Sequence, residues 1–167
     1  MTYTRSGRLR SAAPNFNLGA AWLASANRDP QAAMDQWKAG RLAAIETGEV
    51  FNVVRVGDVR TGRAALADLW HADVPVGPVL HNRAEGCVEF LVTIRADTAW
   101  DMPQTRLIGR PAEGREPLSV AMPAPGMQRL GGRSWLVLPD GERRPTDPAD
   151  LAVALRRACA RLRHDHP

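Results

Sequence analysis

Two stretches rich in β-branched and aromatic residues, Glu49–Val56 and Cys87–Ile94, bracket a stretch of helical period. That arrangement limits the fold more than any other feature of the chain. Alternation in the first puts Phe51, Val53 and Arg55 on one face and Asn52, Val54 and Val56 on the other. The second sets Cys87, Glu89, Leu91 and Thr93 against Val88, Phe90, Val92 and Ile94. Between them, Gly57-Asp58 ends the first strand and Thr61 caps a helix over Gly62–His71, with Leu66, Leu69 and Trp70 inward. Val74–Leu80, interrupted by Pro75 and Pro78, reads as an edge or irregular strand, and 81–86 as a turn.

The flanks add helices and short strands. Asn17 opens a helix to about Ala26, and Asp29-Pro30 opens another to Lys38 or Ala39, where Gly40 suits the stop. Leu42–Ile45 is short and apolar. Asp97 or Thr98 starts a helical turn around Trp100. Strands are expected at 106–108, 118–122 and 134–138, with loops over 109–117 and 123–132. Asp147-Pro148-Ala149-Asp150 starts the last helix, whose stripe is Leu151, Leu155, Ala158 and Leu162. The expected fold class is α+β: a single domain over 17–163, with a mostly antiparallel sheet flanked by helices. A flexible basic arm over 1–16 precedes it and a tail over 164–167 follows.

Of 167 residues, 44% are hydrophobic and 24% charged, which excludes a disordered chain, a coiled coil and a collagen-like repeat. No apolar run is long enough to cross a bilayer, and none follows the basic start, so neither a membrane partner nor a secretory signal is expected. The expected compartment is the cytoplasm. Net charge is +4 and the pI is about 10.0, a balance that often marks a polyanion partner. Yet only Lys38 among the 22 basic residues is lysine, and Ala, Gly and Pro abound. A GC-rich coding sequence yields that composition without any selection for nucleic acid.

Chemistry-bearing motifs are absent: no phosphate-binding glycine loop, no dinucleotide fingerprint, no metalloprotease or esterase motif. The two cysteines, Cys87 and Cys159, share no ligand spacing with His71, His81, His164 or His166, so no metal is expected. Asp97 and Asp101 could share a helical face, but Asp97 also suits a cap. His81 is read as a solvated turn residue, with catalysis as the alternative. Cys87 is read as buried and structural, although Arg83 is near enough in sequence to activate it. The tryptophans at 22, 37, 70, 100 and 135 are read as core.

Several segments in order resemble one family. Phe51–Asp58 resembles its first core strand and Gly62–Leu69 the helix that follows. Gly77-Pro78-Val79 and Ala84–Leu91 resemble the hairpin leading to its G-G-x-H-x-Y-F strand. Leu118–Pro123 resembles its Y-V-V-A-P-P strand, and Gly132–Trp135 the segment after it. The chain thus resembles the N-terminal domain of bifunctional DNA primase/polymerases (Prim-Pol), in its short, degenerate actinobacterial-type form, over about 20–140. The resemblance implies a primase-polymerase-like core. It also implies that the family's acidic metal positions fall on Arg55 and Gly57, its histidine on Cys87, and its third acid near 109–111, where none stands. Asp58 is shifted by one, onto the opposite face.

The expectation is therefore a primase-polymerase-like protein that has lost metal-dependent nucleotidyl transfer, with no cofactor, binding single-stranded or duplex DNA. Arg55, Arg83, Arg106 and Arg110 would line the old template groove, and Arg5, Arg8 and Arg10 would form a basic arm. One alternative is a protein-interaction or regulatory subunit docking through its arginine-rich last helix or its tryptophan-bearing helices. Another is a surviving enzyme that uses Asp58, His81 and Glu89 with a relocated metal.

Overall fold

The computed structural model describes residues 16–95, 99–127 and 129–164. In chain order the elements are α1 (Phe16–Ala24), α2 (Pro30–Lys38), β1 (Ala43–Glu46), β2 (Asn52–Val56), α3 (Val59–His71), β3 (Val79–Asn82), β4 (Cys87–Val92), β5 (Thr105–Ile108), β6 (Ser119–Met122), β7 (Arg133–Val137) and α4 (Pro148–His164). The central sheet has the order β5-β2-β4-β3-β7, and β1 pairs with β6 in a second, two-stranded sheet. Every named strand pair is antiparallel. The fold is α+β in one domain.

Register explains the layers, because residues opposite one another across an antiparallel pair share a face. Val54, Phe90 and Val79 form one row, Val56 and Val88 the next. These pack against Ala65, Leu66 and Leu69 of α3 and Leu151, Ala154, Leu155 and Ala158 of α4. On the reverse face Val53, Leu91 and Ile108 line up and join Leu80 against Leu23, Ala33, Trp37, Ile45 and Met122 of the α1, α2 and β1–β6 layer. The sheet is thus covered on both sides, and all six residues of β4 are buried. Five of the six are apolar or thiol-bearing; Glu89 is the exception.

Local departures from the sequence reading have plain causes. α3 is capped by Asp58, whose carboxylate accepts from the Arg60 and Thr61 amides, so the helix starts at Val59 and not after Thr61. Asp29 caps α2 in the same manner, as expected. α1 begins at Phe16 and stops at Ala24. β3 covers Val79–Asn82 and not Val74–Leu80, since the two prolines keep 74–78 out of the ladder. His81 and Asn82 consequently pair with Val88 and Cys87, and the turn shrinks to 83–86. Trp70, read as inward, is 54% exposed. Arg5, Arg8 and Arg10, the Asp97/Thr98 helix start and His166 lie outside the described residues. Among those described, no helix is long and apolar enough to cross a membrane.

Candidate anion-binding site

The anomaly on β4 leads to the first polar cluster. Arg55 on β2 stands opposite Glu89. Arg55 Nε donates to Glu89 Oε1 at 2.9 Å, and its terminal nitrogen lies 2.7 Å from the same oxygen. Arg133, from the start of β7, donates to Glu89 Oε2 at 3.0 Å. Glu85, in the hairpin turn, meets Arg55 at 2.7 Å and Arg133 at 3.5 Å. Burial opposes the Arg55 charge, but the charge and hydrogen bond of Glu89, with help from Glu85, outweigh it and raise its pKa. A carboxylate with both oxygens held by guanidinium groups is compensated, which is what its full burial demands. Cys87, next along this face, is buried, and its thiol is pushed up to about 11, first by burial and then by the charge of Glu89. It is not an activated nucleophile.

The alternative enzyme trio does not converge. Glu89 lies on the face shared with Leu80, whereas His81 shares the opposite face with Val88 and Ser134. Asp58 is engaged at the α3 N-terminus, where Thr61 Oγ1 donates to it at 2.6 Å; that hydroxyl, together with the backbone amides, holds its carboxyl below the usual range. Among the described residues no three His, Cys, Asp or Glu side chains gather as a metal site.

Of the four groove arginines, two stand together and two lie elsewhere. Arg106 on β5 stands opposite Arg55 and is exposed. Arg110 lies beyond the far end of β5 and pairs with Glu49 at 2.9 Å. Arg83 belongs to a different place altogether, a cleft of about 660 Å³ along the β7 edge.

That cleft is built from four pieces. α3 approaches the sheet closely because Gly62 has no side chain: a Cβ there would sit 2.6 Å from Val88 Cβ. Arg63, the next residue, forms one wall. His81 of β3 and Ser134 of β7, paired in register, form the floor. Arg83 follows β3, and its amide donates to the Gly132 carbonyl at 2.8 Å. Gly131 and Gly132, at φ 57° and 73°, make the tight return before β7 and set Arg129 beside Arg83. Residues 125–127 close the other side, and Trp135 Nε1 holds that segment by donating to the Pro123 carbonyl at 3.1 Å.

Three arginines and a histidine line this space and no carboxylate does. Among the described residues none of the three guanidinium groups is in an ion pair. The imidazole of His81 is held below its ordinary range, first by burial and then by Arg63 and Arg83. A second cavity, of about 710 Å³, lies between α3, the 101–104 segment and α4, but it sets Asp101 among Arg156 and Arg163 and has no single sign of charge. Among the described residues, the β7-edge cleft sets three unpaired guanidinium groups beside an apolar wall, an arrangement suited to an oxyanion.

Sequence reading found Arg83 and His81 but not Arg63 or Arg129. With 21 arginines in the chain, nothing local distinguishes these two; only the close approach at Gly62 and the double-glycine return bring them together. No family model matches this chain, and neither a curated protein nor a solved structure matches it.

Proposed function

We propose that this chain is a non-catalytic nucleic-acid-binding module that acts in the cytoplasm and reads phosphates in the β7-edge cleft. The carrying observation is the carboxylate-free convergence of Arg63, Arg83 and Arg129 with His81. Guanidinium groups pair with phosphate oxygens through two parallel N–H donors. The half-buried Trp135 and Leu136 add an apolar wall against which a base can rest. The Prim-Pol resemblance fits this reading as ancestry. Where the family would hold metal ligands, this chain has Arg55 locked to Glu89, and Asp58 serves as a helix cap. Those contacts support a fold kept after loss of nucleotidyl transfer. DNA, single-stranded or duplex, is the proposed partner.

A protein-interaction role has one observation in its favour. Trp70, 54% exposed, stands over a cavity of about 600 Å³ with Pro75, Val76 and Pro145. The charge arrangement at the β7 edge favours the first reading.

Fluorescence anisotropy with a labelled single-stranded oligonucleotide, at about 50 and 200 mM salt and with or without Mg²⁺, tests it. Binding should weaken steeply with salt and be indifferent to Mg²⁺ at matched ionic strength. Absence of binding at low salt would overturn the proposal and turn attention to the Trp70 surface.

A further inference from the structure

We propose that the β7-edge cleft is a proton-coupled anion site, in which His81 takes up a proton together with the ligand and phosphate is held more tightly as pH falls. This rests on the reading of the cleft as a phosphate site. α3 contributes Arg63, the β3–β4 turn Arg83, and the approach to β7 Arg129. β4 presents Val88 and β7 presents Ser134. Of the acids and thiol close to it in sequence, Cys87 and Glu89 lie on the other sheet face, and Glu85 and Glu89 pair with Arg55 and Arg133.

Without a bound anion, a proton on His81 would add a fourth positive charge to a half-buried space that no carboxylate lines. The neutral imidazole is favoured there, in line with its depressed titration. An oxyanion reverses the balance. It supplies the missing negative charge, and the imidazolium becomes an additional donor to it. The proton comes from solvent and stays on a ring nitrogen while the ligand is bound. By linkage, affinity rises as pH falls between the bound and free titration points of His81, by up to about tenfold per pH unit.

The first test is an NMR titration of the histidine rings, with and without sulfate at constant ionic strength, His81 being assigned with His81→Gln. Sulfate keeps its charge across the range, so any change belongs to the protein. The His81 midpoint should rise by about one unit while His71 and His164 stay in place. The second is oligonucleotide affinity, using a strand without terminal phosphates, between about pH 8 and pH 6. A one-unit rise limits the whole gain to about tenfold, and with the free midpoint below its ordinary value only part of it falls above about pH 6: the native protein should bind several-fold more tightly at the lower pH, and His81→Gln should lose most of that gain. An unmoved midpoint in sulfate, or equal pH dependence in both proteins, overturns the proposal. If sulfate moves His81 but the strand never binds, the proton-coupled anion site stands and the nucleic-acid reading falls. If the strand binds through Arg83 without moving His81, the reverse holds.

Discussion

Replacing Glu89 by Gln should be among the costliest single polar changes in this protein. The side chain is fully buried, with Arg55 on one oxygen and Arg133 on the other. Gln keeps the shape but removes the charge and turns an amide donor toward a guanidinium. Arg133, only 10% exposed, would retain just the longer 3.5 Å contact to Glu85. Breaking a buried pair from one side costs about 3–5 kcal/mol. Arg55 is 26% exposed and keeps Glu85 at 2.7 Å, which places the cost at the lower end, about 3 kcal/mol. For a chain of this size that is a fall in Tm of about 6–12 °C. The same change at Glu85, half exposed, should cost about 1 kcal/mol or less. Urea unfolding at neutral pH, with the slope shared between variants, reads both values. Losses equal within about 0.5 kcal/mol would refute the claim that burial, not the count of ion pairs, sets the energy.

The remaining expectations are smaller. Gly62→Ala, which in an ordinary helix gains about 1 kcal/mol, should here destabilise by about 1–3 kcal/mol, because its Cβ meets Val88; a thermal melt showing a gain would refute the close approach. Asp58→Ala should cost about 1 kcal/mol. Because the folded carboxyl titrates below its ordinary 3.8, the contribution is whole above that value and fades as pH falls through the folded one, so the variant should show a shallower loss of stability in acid. A thiol reagent should label one cysteine in the native protein, the half-buried Cys159, and reach Cys87 only after denaturation; fast labelling of Cys87 would contradict its burial.

What the sequence made legible was local. The Asp-Pro starts of α2 and α4 and the alternating residues of β2 and β4 each carry their signal within a few neighbours. Pairing across the chain was not legible. Glu89 looked like a candidate metal ligand because nothing in 87–94 announces that Arg55 and Arg133 arrive from β2 and β7. The β1–β6 sheet joins residues more than seventy positions apart, and four-residue strands carry little period of their own. His81 read as a turn residue because strand pairing through Asn82 depends on β4 and β7, not on its neighbours. The cleft was half visible for the same reason: Arg83 and His81 lie close in sequence, while Arg63 and Arg129 are brought to them by tertiary contacts.

The central claim is that position, not total charge, makes these arginines a site. It is tested most directly by two variants that lose equal charge: Arg63→Gln/Arg83→Gln/Arg129→Gln in the cleft and Arg156→Gln/Arg157→Gln/Arg163→Gln on α4. Oligonucleotide affinity is measured for each across a salt series. The cleft variant should lose at least about tenfold in affinity and reduce the salt slope by about 2, three contacts at roughly 0.7 each, while the α4 variant stays near the native protein. Equal losses in the two variants would contradict the account and reduce the high pI to composition.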